Sequence, residues 1–218
     1  MIPIKGGTFQ MGRNDGETDE KPVHTVTVSD FSIGKTEVTQ AQWVAIMGSN
    51  PSYFKGDNLP VEQVSWDDVQ VFIGKLNAKT SKTYRLQTEA EWEYAAGGGE
   101  NNRTEYAGTD IESNLDNYAW NANNSNDTTH PVGTKQPNQL GLYDMSGNVW
   151  EWCSDWYGSD YYAKSLQINP KGASGGSERV YRGGGWNLEA TNCRVAYRYG
   201  NSPGGRDFCL GFRLVLVP

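Results

Sequence analysis

Basic charge, histidine, cysteine and long apolar runs are all scarce in this 218-residue chain, and each shortage excludes something. Lys and Arg number 19 against 26 Asp and Glu, for a net charge of −7, so no basic surface for a nucleic-acid backbone is expected. No stretch of about 18 apolar residues occurs, and no segment reads as a membrane-spanning helix. The opening MIPIKGGTF lacks the basic and apolar regions of a signal peptide, so none is expected within these residues. Histidine occurs twice, at His24 and His130, without a second ligand at metal-binding spacing. G-x-S-x-G, H-E-x-x-H and P-loop motifs are missing, which removes three common catalytic signatures. Cys153, Cys193 and Cys209 are too few and too scattered for a disulfide scaffold or a zinc finger. One bridge with a leftover thiol, or three buried thiols, both remain open. Carboxylates converging from distant segments also remain available to a catalytic site.

What the chain does contain is aromatic area and turns. Eight Trp and twelve Tyr supply packing area despite a modest apolar fraction, and 26 Gly with nine Pro point to a loop-rich fold. The stretches GGTFQMG and PVHTVTVSDFSIG alternate apolar and polar residues at period two, as a strand pair would. Between them lies an acidic loop with Asp15, Glu17, Asp19 and Glu20, read as solvated rather than cation-binding. Thr39 with Gln42, and Thr88 with Glu91, form capping boxes for two helices, while Ser65 caps a third. Those helices are expected to stop near Met47 before Gly48, and after Ala96 at the glycine run. In the helix after Ser65, Val69, Phe72, Ile73 and Leu76 make a core-facing stripe. Glu89, Trp92, Glu93 and Ala96 are read as packing and capping residues. Residues 97–140 show little periodicity and need something to pin them. The tail returns to strands in RVYRGG, CRVAYR and LGFRLVLV. One α+β domain over residues 1–218 accounts for this order.

The segments GGTFQMG, KTEVTQAQW, PVEQVSWDD, YRLQTEAEWEYAAGG, GLYDMSGNVWEWCSDWYG and RVYRGGGW…CRVAYR…LGFRLV occur in a telling order. Together they resemble the formylglycine-generating enzyme, or sulfatase-modifying factor, domain family over essentially the whole chain. The resemblance implies a C-type-lectin-like fold, loop-rich, with terminal strands paired and a ligand face built from loops and late strands. Gln87 departs from the family pattern, which has Pro after RL. The family's oxidases act on a sulfatase cysteine with copper held by a C-x4-C pair that follows RGGSW. Counted from Trp186, Leu188 and Cys193 occupy those places; anchored on RVAYR, the loop is shorter and Cys193 sits beside the strand. Neither alignment leaves C-x4-C, and copper(I) favours two soft thiolates. A non-catalytic member needing no catalytic cofactor is therefore expected, with a copper oxidase and a structural assembly domain as rivals. The resemblance also implies a structural calcium held by Asp144, the carbonyls of Gly147 and Val149, and Glu151. It further implies a bridge between Cys153 and Cys193 in an oxidising compartment.

The C-terminal region, residues 179–218, also resembles the variable region of diversity-generating retroelement proteins, the treponemal ones in particular. Adenine mutagenesis of AAC or AAT codons reaches Tyr, Asn, Ser, Gly, Asp, Phe, Leu and Cys. Asn187, Leu188, Tyr197, Tyr199, Gly200, Asn201, Ser202, Gly204, Gly205, Asp207, Phe208 and Cys209 are all of these types, with Trp186 beside them. Tyr, Ser, Gly and Asn are also the composition of antibody loops, where aromatic area comes at small entropic cost. Arg182, Arg194, Arg198, Arg206 and Arg213 read as scaffold between them. In a second reading both tyrosines pack inward and the Gly-Asn-Ser-Pro segment is an ordinary turn. The resemblance implies an exported, cell-surface protein that binds a macromolecular ligand and no nucleic acid.

Overall fold

Each cap starts a helix in the computed structural model, which describes residues 1–217. Helix α1 covers Gln40–Met47, where Thr39 Oγ1 accepts the Gln42 N–H at 3.3 Å and Gln42 Oε1 accepts the Thr39 N–H at 3.0 Å. Helix α2 covers Trp66–Thr80 and buries Val69, Phe72 and Ile73, with Leu76 half-buried beside them. Helix α3 covers Glu89–Ala96 and is buried along its whole length, carboxylates included. A helix with Glu89, Glu91 and Glu93 inside requires partners for each charge, and the tail supplies most of them.

Among the described residues ten short strands make three sheets: β1 Ile2–Ile4, β2 Gly7–Met11, β3 His24–Val28, β4 Phe31–Ile33, β5 Tyr84–Arg85, β6 Trp150–Trp156, β7 Arg179–Arg182, β8 Arg198–Asn201, β9 Leu210–Phe212 and β10 Val215–Leu216. The first sheet runs β1-β4-β10-β5, so the last strand inserts between elements from the start of the chain. Strands β2 and β3 form a ribbon, and the third sheet runs β8-β7-β6-β9, with β6 and β9 parallel. This is the α+β, loop-rich single domain expected from the sequence.

One strand begins later than expected. Ala190–Cys193 form a 3-10 turn, and pairing with β7 starts only at Arg198. Arg194, Val195 and Ala196 are all buried, which breaks the two-residue alternation a half-exposed strand needs. Alternation resumes in β8, where Arg198 and Gly200 point inward and Tyr199 outward.

The long segment 97–140 is pinned largely by asparagine side chains. Asn138 Nδ2 donates to the Ala95 carbonyl at 2.7 Å, and Asn148 Oδ1 accepts the His130 N–H at 3.0 Å. His130 stacks on Trp120 at 3.6 Å, with the Lys135 ammonium 3.8 Å from the Trp120 ring. Such local polar anchors need no periodic apolar pattern, which is why periodicity gave no warning of them.

Four arginines of the tail are locked into buried carboxylates. Arg198 meets both oxygens of Glu89 at 2.7 Å, Arg182 pairs with Glu93, and Arg213 grips Glu151 at 2.7–3.1 Å. Arg194 is bidentate to Glu20 at 2.7 and 2.8 Å. Glu20 is therefore an interior residue, and the acidic loop is not wholly solvated as its composition suggested. Burial favours the neutral acid, but Arg103 and Arg182 hold the Glu93 carboxyl below its ordinary range.

Candidate ligand-binding face

The expected contact residues separate by exposure. Asn187, Tyr199, Ser202, Gly204 and Phe208 are exposed, with Tyr199 at 53% and Phe208 at 39%. Leu188, Tyr197, Asn201, Gly205 and Asp207 are half-buried. Trp186, Gly200 and Cys209, expected among the ligand-binding residues, are buried and form the floor of this face rather than its exposed surface. The reason at Gly200 is steric: a Cβ there would lie 2.8 Å from the Tyr157 ring. Gly204, by contrast, faces open space.

Strand β8 is the edge of its sheet, so Tyr199 stands on an outer rim with only Tyr181 of β7 opposite it, ring centroids 5.6 Å apart. Tyr181 in turn packs on Trp150 at 4.9 Å, and Trp150 approaches Tyr197 at 6.0 Å. The turn that follows β8 is fastened through its backbone and one arginine. Gln63 donates its N–H to the Asp207 carbonyl at 2.9 Å, Asp67 donates to the Pro203 carbonyl at 3.3 Å, and Arg206 pairs with Asp68 at 2.7 Å. Ser202 and Gly204 are thus displayed from a held backbone, and Asn187 follows Trp186, whose N–H donates to the Asn148 carbonyl at 2.8 Å. Asp207 is less free, because its Oδ1 accepts the Cys209 N–H at 3.0 Å.

Two aromatics from the α1–α2 connection extend this face. Tyr53 is 69% exposed and lies 6.4 Å from Phe208, while Phe54 meets Trp186 edge-on at 5.4 Å. Trp186 and Phe208 are 5.6 Å apart, which makes a continuous aromatic surface from two distant segments. Adjacent aromatics in NPSYFKG were the only sequence signal for it. Beneath Phe54 lies Glu62, fully buried, whose Oε1 accepts the Phe54 N–H at 2.9 Å and whose Oε2 has no partner. Burial pushes its carboxyl up to about 7, with nearby Asp207 adding to the rise.

Of the residues expected to hold calcium, Asp144 and Glu151 lie near each other and near Glu37. Glu37, Asp144 and Glu151 share the single guanidinium of Arg213, so negative charge is in excess there. Asp144 Oδ2 accepts the Gly133 N–H at 2.7 Å and its Oδ1 is buried without a partner. Both oxygens of Glu151 already accept, from Arg213 and from Trp92 Nε1 at 2.8 Å. Burial raises Asp144 to about 6, and lifts Glu37 well above its ordinary range with help from Asp144 and Glu151. Asp144 therefore keeps one oxygen open to a further donor, whereas both oxygens of Glu151 are already taken. No group of three or more His, Cys, Asp or Glu side chains placed to hold a metal occurs among the described residues.

The cysteines resolve toward the second of the two readings. Cys153 and Cys193 are both free and buried, so the bridge implied by resemblance does not form. They pack in different apolar clusters, Cys153 with the main core and Cys193 with Tyr106, Leu115, Ala119 and Ala190. Gly184, at φ +76°, lies so close to Cys193 that a Cβ there would be 2.7 Å from its sulfur. Burial pushes the Cys193 thiol up to about 12 and raises Cys153 and Cys209 as well, which keeps all three in the unreactive form. Leu188, at the first copper-ligand place, packs on a third apolar cluster that includes Trp43, Phe72, Trp150 and Trp186. Gln87, the departure from the family pattern, donates from Nε2 to the Trp152 carbonyl at 2.9 Å.

Comparison with known proteins places this architecture. The solved structure of Treponema denticola variable protein 1 superposes with a TM-score of 0.94 at 37% identity, covering all of this chain and 95% of that one. The formylglycine-generating enzyme of Streptomyces coelicolor is 32% identical over 98% of this chain and 88% of its own length. The chain is 35% identical to the serine/threonine-protein kinase pkn1 of Chlamydia pneumoniae and spans 37% of that protein's length. No helix among the described residues is long and apolar enough to cross a membrane. The family model described as the sulfatase-modifying factor enzyme 1-like domain matches residues 1–217, and the chain belongs to that family.

Proposed function

We propose that this chain is a non-catalytic binding protein whose C-terminal region displays an exchangeable contact surface, as retroelement-diversified proteins do. One observation carries the proposal: Asn187, Tyr199, Ser202 and Phe208 are exposed on a backbone fixed by buried arginine–carboxylate pairs. Side chains on such a frame change without disturbing the core, and their types suit adaptable recognition. Similarity to a variable protein supports the same role. Trp186, Leu188 and Cys209 serve as its floor, with Tyr197, Asn201, Gly205 and Asp207 at its margins. The partner is a macromolecule met at the cell surface after export. A structural calcium, held by Asp144, the carbonyls of Gly147 and Val149, and Glu151, belongs to the same proposal. It would tie the GNVWEW turn to the preceding loop.

Three experiments test this. Sequencing the surrounding DNA should find a near-copy of the 3′ end, with adenines at the exposed-residue codons, beside a reverse transcriptase gene. Copper loading followed by incubation with a cysteine peptide and oxygen should give neither stoichiometric copper nor oxidised peptide. The family's oxidase members make the opposite result a real alternative, and formylglycine formation would overturn the binding role. Added calcium should raise the unfolding temperature of chelator-treated protein, and Asp144→Ala should abolish that rise.

A further inference from the structure

Beyond the aromatic surface, the face ends in an open cleft of about 470 Å³ where β8 meets the first loop of the chain. Its walls include Glu17, Asp19, Tyr157, Asp160, Tyr197 and Tyr199. We propose that this cleft receives the cationic side chain of an arginine or lysine on a protein partner. The inference deepens the binding role given above and rests on it for the protein nature of the partner.

The chemistry is that of a cation subsite with an aromatic wall. Three tyrosine rings offer π-faces that attract a guanidinium or ammonium, and their edges pack against its aliphatic stem. Tyr157 already does this within the protein, since the Arg198 guanidinium lies 4.9 Å from its ring. Arg194 lies 5.5 Å from the ring of Tyr197. The cleft's own cation, Arg198, does not neutralise the carboxylates. It is buried, bidentate to Glu89, and its Nη1 donates to the carbonyls of Asp19 and Gly158 at 3.2 and 3.0 Å. Asp160 is paired with the exposed Lys164. Glu17 and Asp19 have no basic side-chain partner among the described residues: the Asp19 carboxylate accepts the Tyr157 hydroxyl at 2.7 Å, and Glu17 is exposed. An anionic ligand group would meet like charge there, on a chain whose net charge is already −7.

The cleft is built from two kinds of residue. Tyr197 and Tyr199 belong to the exchangeable segment, whereas Glu17, Asp19, Tyr157 and Asp160 lie outside it. The acidic wall is therefore constant while the opposite wall changes, so every version of the face carries the same preference for a basic side chain.

The test uses N-acetyl-arginine amide as probe and N-acetyl-citrulline amide, its neutral isostere, as control, titrated into isotope-labelled protein by NMR. The arginine probe should shift the amides of Glu17–Asp19 and Tyr197–Tyr199, saturate at least tenfold more tightly than citrulline, and weaken as salt rises. The double variant E17Q/D19N should lose that tenfold preference, and its unfolding temperature should match the native chain's. Equal response to both probes, shifts elsewhere, or no binding would overturn the cation subsite. If neutral partners are nevertheless selected by randomised faces, the binding role stands and only the cation preference falls.

Discussion

Within residues 182–213 two populations of side chain alternate, and they differ in almost every physical respect. Arg182, Arg194, Arg198 and Arg213 are buried and paired with Glu93, Glu20, Glu89 and Glu151, each from a distant part of the chain. Asn187, Tyr199, Ser202 and Phe208, sometimes only one residue away, face solvent. The difference teaches what would leave a surface free to change. Buried ion pairs add little net stability over an apolar core, but each demands its own partner and so fixes the path of the backbone. The outward side chains take part in none of these buried pairs.

The comparison breaks first at the arginines. Arg182→Met should cost about 3–5 kcal/mol in urea unfolding, because Glu93 and Glu89 remain buried with a charge removed. A loss under about 1 kcal/mol would mean that the pair holds nothing. The glycines sharpen it next. Gly200→Ala should destabilise by about 1–3 kcal/mol through contact with Tyr157, while Gly204→Ala, in open space, should change stability by less than about 0.5 kcal/mol. Equal effects would erase the distinction between floor and surface.

Glu62 separates the two regions by pH. Its folded carboxyl titrates near 7, above an ordinary carboxyl, so the folded protein holds a proton that the unfolded chain has already released. Its contribution is therefore favourable at low pH and is lost as pH rises toward 7. Glu62→Gln should leave stability near pH 4 unchanged and raise it by on the order of 1–3 kcal/mol at pH 8. Asp155, raised to about 7 mainly by burial, with Glu89 contributing, falls the same way in both proteins. The diagnostic quantity is consequently the difference between Glu62→Gln and the native chain across pH. The smallest effect belongs to the rim: Tyr199→Ser and Ser202→Asn should each shift stability by less than about 0.5 kcal/mol.

What could be read in advance follows from the range of each interaction. Capping boxes are local, and Thr39, Ser65 and Thr88 each start a helix where they stand. The motif order carried the fold, and the exposed members of the tail were recognisable by type. The ion pairs were not recognisable, because Glu20 and Arg194 are 174 positions apart and nothing local joins them. Tyr53 and Phe54 escaped for the same reason, since they reach the face only after α1 and α2 have packed. CRVAYR read as a strand from its composition, yet the chain turns from Arg194 to Tyr197, where the Tyr197 N–H donates to the Arg194 carbonyl at 3.1 Å. Glycine type alone also could not separate Gly200 from Gly204, since only a neighbour's position does that.

The central claim is that the frame tolerates exchange at the surface. Its most direct test is the unfolding temperature of a set of chains carrying Tyr, Asn, Ser, Asp or Gly at positions 187, 197, 199, 201, 202, 204 and 208 together. If the face is built for exchange, most members should unfold within about 5 °C of the native sequence, since the summed changes stay near 1 kcal/mol. A collection that mostly fails to fold, or melts tens of degrees lower, would contradict it.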